Sequence, residues 1–397
     1  MTLWQQWRAA ATLLIEGRAL LAERQPSVHT SPWSAFLLGL DDNTVDLVEG
    51  AGIDAVWPSA APADLLAFTE RIRAVIDLPL LDDDLATPSP ARRHERPHKQ
   101  LQIDAFVRAA ERVGEQALRF VDVGSGHGHL TRALAVALRR PGIGLEYNPA
   151  LVDRALALAA AAANDVAFVV SDVVGDSLVV HPGDCLVGLH ACGELGDLVV
   201  RAAADSAVDS AVVFVGCCLQ KQRALVRAPL CSDDDVDMAA LHLPKGVLGL
   251  SNLSTTDDGV EASRAVNVAA RRQRLAVKIL LERAGIIVEP NTEVRGVNRR
   301  AVHEPLAEVV RRVFAYRGVP LPSIIDVNAA LIEATSLHMQ QRRLALPRWM
   351  LARVLEVFVA LDRALFLQQH GFRVEVGVLF SSTVSPRNLA VVARRRG

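Results

Sequence analysis

The chain has 397 residues, of which 51% are hydrophobic and 22% charged, so it can bury a sizeable core and general disorder is excluded. Its net charge of −2 excludes a protein that holds polyanions over its whole surface. The five cysteines are too few and too irregularly spaced for a disulfide framework, so the expected setting is a reducing cytoplasm.

Residues 1–21 have apolar positions interrupted by Arg8, Glu16 and Arg18, which predicts an amphipathic helix rather than a secretory leader. No uninterrupted apolar run approaches about 18 residues, so no membrane span is expected. Helices and short turns, marked by Pro26, Pro58, Pro62 and Pro79, continue to about residue 88. Thr87-Pro88-Ser89-Pro90 reads as a linker, which predicts a helical amino-terminal domain over 1–90 and a second domain over 91–397. The acidic runs Asp82–Asp84 and Asp233–Asp237 read as solvated loops or ends. So do the basic clusters Arg92, Arg93, Arg96, Lys99 and Arg394–Arg396.

From residue 101 the pattern alternates between helix and strand. Helices are predicted at 101–113, 130–139, 151–163 and 195–204, and strands at 117–123, 142–147, 166–174, 184–190 and 210–217. Such alternation implies right-handed crossovers and a parallel sheet. Residues 219–345 lose this regularity and read as an insertion or cap, with helices at 263–284 and 301–316. A helix at 351–370 and strands at 372–380 and 389–392 close the chain. The connection 381–388 is too short for a parallel return, so the last strand pair must be antiparallel. The fold class is therefore α/β: a doubly wound, seven-stranded, Rossmann-like sheet.

The strongest local signal is Val121-Asp122-Val123-Gly124-Ser125-Gly126-His127-Gly128-His129-Leu130. A buried strand runs into glycines that let bare backbone approach a ligand, and a helix with unpaired amides follows. A dinucleotide fingerprint would place its third glycine at His129, and a carboxylate at Asp122 would repel a pyrophosphate. The same carboxylate suits the ammonium group of a methionine moiety, which points to S-adenosylmethionine, with Asp122, Gly124, Ser125, Gly126 and Gly128 at its amino-acid end. About 20 residues on, Glu146 ends the second strand, where a carboxylate accepts hydrogen bonds from both ribose hydroxyls. Asp172, at the third strand's end, is the candidate for the adenine amino group.

The fourth strand ends in His190-Ala191-Cys192-Gly193-Glu194-Leu195, beside the expected position of the methyl group. His190 is the candidate for orienting the cofactor or taking a proton from an acceptor. Cys192, with Cys217 and Cys218 at the end of the fifth strand, lines the substrate side. No C-x-x-C or histidine pair has structural zinc spacing, so no metal is expected. Lys99, ahead of the first helix of the second domain, is placed to meet the cofactor carboxylate or an acceptor phosphate.

Taken in order, His190-Ala-Cys-Gly-Glu-Leu195, Gly216-Cys-Cys218, Leu361-Asp-Arg363 and Ser385-Pro-Arg-Asn388 resemble a known series. It is that of the eukaryotic methyltransferase-like proteins labelled ribosomal RNA adenine dimethylase domain-containing. The series is similar also to the methyltransferase domain of glutathione S-transferase C-terminal-domain-containing protein and to bacterial relatives. The resemblance covers roughly residues 97–397. It implies the class I methyltransferase fold, S-adenosylmethionine as cofactor, the glycine loop at its methionine end and Glu146 at its ribose. Leu219-Gln220-Lys221 stands where those proteins carry an aromatic after the cysteine pair, and no Asn-Pro-Pro-Tyr motif is present to hold a target adenine. The sequence thus predicts an active methyltransferase whose acceptor is RNA, a protein side chain or a small metabolite, with a lean to RNA or ribosomal material. The alternative is a non-catalytic scaffold that keeps the cofactor pocket.

Overall fold

The structure is a computed structural model that describes residues 1–23, 27–81, 97–161, 165–206, 208–253, 261–289, 292–298 and 304–395. The linker 87–90, the acidic run 82–84, Arg92, Arg93, Arg96 and Arg396 lie outside the described residues.

Three helices dominate the amino-terminal part: α1 (Leu3–Glu16), α2 (Asp42–Ala51) and α3 (Ala63–Ile76). The α1 helix starts at a capping box, where Thr2 and Gln5 satisfy each other's backbone amides. Helix α4 (Pro97–Gly114) leads into β1 (Arg119–Val123), α5 (His129–Leu138), β2 (Gly142–Glu146), α6 (Pro149–Ala160), β3 (Val166–Val170), β4 (Asp184–Cys192), α7 (Glu194–Asp205) and β5 (Ser210–Cys217). The α6 helix begins two residues before the expected 151, because Asn148 caps the Ala150 amide and Pro149 stands at the first turn. After a two-residue ladder between Val226–Arg227 and Leu243–Pro244 come α8 (Glu261–Arg283), α9 (Leu306–Arg317), α10 (Ile324–Gln369), β6 (Phe372–Val378) and β7 (Leu389–Arg395).

The sheet order is β3-β2-β1-β4-β5-β7-β6. Strands β1 to β5 are mutually parallel, and β7 runs antiparallel between β5 and β6. This is the doubly wound sheet with an antiparallel closing pair that the sequence predicts, the class I methyltransferase sheet. The order reverses at β1, so the crevice over the carboxyl ends of β1 and β4 is the switch point where such sheets bind ligands.

Two faces of the sheet carry two cores. On one face α4 and α5 cover β1, β4 and β5 through Phe106, Phe120, Leu134 and Val213. On the other, α7 and the second half of α10 pack with the amino-terminal helices in one continuous core. There Trp7 stacks on Phe358 at 5.6 Å.

Helix α10 departs from the expected 351–370 by starting 27 residues earlier, at Ile324. The sequence signal misled because Pro347 inside a helix removes a backbone hydrogen bond and costs about 3 kcal/mol. Here Leu344, Leu346, Met350 and Leu351 are all buried on either side of it, and that burial carries the helix through. The first half of α10 joins α8 and α9 in a separate core around Leu280, Val313, Phe314 and Ala334. The predicted helix 301–316 is present as α9 from Leu306; residues 301–303 lie outside the described residues.

Candidate active site

The loop after β1 is built on left-handed backbone: φ is +77° at Gly124, +55° at Gly126 and +68° at Gly128. A β-carbon at Gly128 would lie 2.2 Å from the Phe168 ring, so only glycine lets the loop close on β3. At Gly126 a β-carbon would meet nothing within 4 Å, because the loop faces open space there. The Ser125 hydroxyl is buried and has no hydrogen-bond partner among the described residues. An unpartnered hydroxyl beside an open glycine cradle fits a bound polar ligand.

Glu146 lies under this loop and is 6% exposed. Its carboxylate accepts from the Gly126 amide at 3.0 Å and from the Asn148 amide at 3.1 Å. Asp122, deeper in β1, accepts from the Thr131 hydroxyl at 2.7 Å. Burial pushes its carboxyl up to about 6, against the pull of Thr131 and of the Lys99 ammonium. Asp122 is therefore still mostly ionised at neutral pH. Asp172, beyond the end of β3, is exposed and paired with Arg223 at 2.8 Å, which holds its carboxyl below the usual range.

The end of β4 is irregular. The register with β5 shifts between Leu189 and Ala191, and His190 sits at the bulge with φ +70°. A non-glycine residue held there costs on the order of 1–3 kcal/mol, and such strain concentrates at functional sites. His190 Nε2 is 2.8 Å from Gln102 Oε1, and the Gln102 amide nitrogen donates in turn to the Val384 carbonyl. That second bond orients the Gln102 oxygen toward the imidazole, so Nε2 carries the proton and Nδ1 is the acceptor. Burial, assisted by Lys99 and Arg387, lowers the imidazole to about 4. His190 is thus neutral at pH 7 and a weak base, better suited to orienting a reactant than to stripping a strong proton.

Cys192 and Cys217 are paired in register at the ends of β4 and β5, with sulfurs 2.6 Å apart, and Cys218 adjoins them. The two paired thiols are within hydrogen-bond distance of each other. Its hydrogen bond to Cys217, with Lys221 and Arg387 nearby, brings Cys192 down to about 6 against burial, while Cys217 is driven well above the ordinary thiol range. Beyond them a narrow cleft is lined by Cys217, Cys218, Ser251, Glu356, Arg387 and Asn388 among others.

Buried charges brace these strand ends. Arg363, in α10, donates to Asp197 at 2.7 Å and to the Gly193 carbonyl at 2.7 Å. Gly196 and Gly216 leave room for its guanidinium, since a β-carbon at either would press on it. Arg227 bridges Asp197 and Asp362, and Asp362 also accepts from the Leu230 and Cys231 amides. Burial alone would raise Asp197, yet Arg227 and Arg363 bring it down to about 2. Arg387 and Asn388 tie the β6–β7 connection to α10, through Glu356 and Arg353 respectively, and Asn388 also donates to the Phe380 carbonyl.

The structure thus brings Lys99, Asp122, the glycine loop, Glu146 and His190 to one end of the sheet, and the three thiols to the same end beside β5. Asp172 is tied through Arg223 to Glu194. Residues 98–224 match a protein-family model described as a methyltransferase domain. The match covers less than half of the chain and takes in the glycine loop, Glu146 and His190. The matched segment runs from α4 to the loop after β5 and holds all five parallel strands. Among solved structures the chain is similar to the YcgJ protein from Bacillus subtilis, at 19% identity over 29% of this chain and 50% of that one, TM-score 0.25. A second is magnesium protoporphyrin IX methyltransferase from Synechocystis PCC 6803 with bound SAH, at 18% identity over 33% and 62%, TM-score 0.25. A third is a SAM dependent methyltransferase from Aquifex aeolicus, at 13% identity over 30% and 60%, TM-score 0.22. The chain spans about half to three fifths of the length of these structures. Among the described residues no helix is long and apolar enough to cross a membrane.

Sequence reading missed Gln102, Thr131 and Arg223. Gln102 left a faint trace, as one of three polar residues (Gln100, Gln102, Asp104) on positions that α4 buries. Arg223 left none, because its partners Asp172 and Glu194 meet it only through the fold.

Proposed function

We propose that the chain transfers the sulfonium methyl of S-adenosylmethionine to an acceptor presented at the ends of β4 and β5. The observation that carries this is the open cradle at Gly126 with the Glu146 carboxylate beneath it. In this reading the amides and Ser125 hydroxyl of the 124–128 loop hold the methionine end, and Asp122 places negative charge under its ammonium. Glu146 takes the ribose hydroxyls, and Asp172 the adenine amino group. The cofactor supplies an activated methyl that leaves by in-line displacement, so the protein's work is positioning rather than strong acid–base chemistry. A neutral His190 suits that task, fixed by Gln102 beside the methyl end. Cys192, Cys217 and Cys218 form the wall against which the acceptor sits. The amino-terminal helices α1 to α3 brace α10 behind the site.

The acceptor we infer is RNA or ribosomal material, supported by the cationic groups Lys221 and Arg387 near the thiols and Lys99 near His190, which suit phosphate. The test is incubation of the chain with methyl-labelled cofactor and separated RNA, ribosomal-protein and small-molecule pools. Label is expected in the RNA or ribosomal pool and absent with the Gly126→Arg variant. Label confined to small molecules would refute the acceptor assignment. No label in any pool, although the cofactor binds, would mark a non-catalytic scaffold.

A further inference from the structure

Three thiols from two separate stretches of sequence converge at the strand ends: Cys192 from β4, and Cys217 and Cys218 from β5 and the residue after it. Their sulfurs all lie within 4.8 Å of one another. Neighbouring residues on a strand point to opposite sides, so Cys217 and Cys218 would ordinarily diverge. Cys218 instead adopts φ +31°, which breaks the alternation and turns its thiol back to the cluster.

The backbone around the three is tightly tied. Gly193, at φ +52°, follows Cys192, and its amide donates to the Cys217 carbonyl at 3.3 Å. The Lys221 amide donates to the Cys218 carbonyl at 2.9 Å, and the Lys221 carbonyl accepts from Glu194. A β-carbon at Gly193 would fall 1.7 Å from that Lys221 oxygen, so the two strand-end loops are in direct contact. Strained backbone held by cross-loop bonds is the rigid support that a ligand set requires.

We propose that Cys192, Cys217 and Cys218 bind one thiophilic divalent ion, zinc, through three thiolates, leaving a fourth coordination position open. An all-sulfur donor set selects zinc over magnesium or calcium. Three protein ligands with an open position is the arrangement of reactive rather than purely structural zinc centres. Zinc–sulfur bonds of about 2.3 Å at tetrahedral angles need sulfurs roughly 3.8 Å apart. Cys192 and Cys217 must therefore separate by about 1 Å, within reach of a side-chain rotation. Three thiolates on a dication leave one net negative charge. Binding releases the thiol protons, so affinity falls as pH falls. The site does not depend on the methyl-transfer reading.

The probe is Co²⁺ titrated into the reduced, chelator-treated full chain, followed by displacement with Zn²⁺. One Co²⁺ per chain is expected, with a thiolate-to-cobalt charge-transfer band that Zn²⁺ abolishes. Cys192→Ser and Cys218→Ser, both at partly exposed positions, are each expected to weaken binding by about tenfold or more, with unchanged melting of the metal-free protein. The absence of a charge-transfer band in the reduced chain would overturn the proposal. So would a band that persists in both variants, or a Cys192–Cys217 disulfide in the unreduced chain whose reduction restores no cobalt binding.

Discussion

Asp122 carries a carboxylate into the interior of the sheet, with Thr131 donating to it and burial raising its pKa from 3.8 to about 6. An acid whose folded pKa is raised favours the folded state while protonated and penalises it once ionised. Stability is thus fully present below about pH 3.8 and declines as pH rises to about 6, levelling off above. The shift corresponds to roughly 3 kcal/mol at most. Asp122→Asn keeps an acceptor for Thr131 and removes the charge. Its melting temperature should match wild type near pH 4 and exceed it at pH 7; an equal difference at both pH values would contradict this account of the burial. Such a residue, destabilising at working pH, belongs with sites retained for binding rather than for folding. Its identity was legible in the sequence because it precedes the glycines. Its burial and Thr131 partner were not, since both depend on how α5 lies on β1.

The glycine loop, the carboxylate ending β2 and the closing antiparallel pair could all be read from residues alone, because each is a local pattern with one physical reading. The 46-residue α10 could not: Pro347 is a local stop signal that tertiary burial overrides. The Leu361-Asp-Arg363 motif shows the same limit. A helix interior gives no reason for adjacent charges until α7 and the 226–231 segment are seen to close on them. Asp362 is 0% exposed and serves Arg227 and two backbone amides. Removing one member of a buried charge set leaves its partner uncompensated, at a cost of about 3–5 kcal/mol. Asp362→Ala is therefore expected to lower the denaturant midpoint sharply, by about that free energy. A loss below about 1 kcal/mol would mean that Arg227 finds another partner or water.

Across the whole molecule, α10 is the element that joins the parts. Its first half belongs to the core of α8 and α9, and its second half lies under the sheet together with Trp7 and the other amino-terminal core residues. Through Arg363 it reaches the strand ends where the loop of Gly193 and the thiols sit. Composition foretold a large core, but not that one helix would serve two. The catalytic reading places a nucleoside over the switch point of this sheet, between the glycine loop and Glu146. Calorimetric titration of S-adenosylhomocysteine into wild type, Glu146→Ala and Gly126→Arg addresses that placement directly. One site per chain is predicted for wild type. Glu146→Ala should weaken it at least tenfold, since charge-assisted hydrogen bonds contribute about 1.5–3 kcal/mol each. Gly126→Arg should abolish it; its side chain enters open space, and the left-handed backbone there should lower the melting temperature only modestly, through about 1–2 kcal/mol of strain. Binding of equal strength in all three proteins would contradict the account.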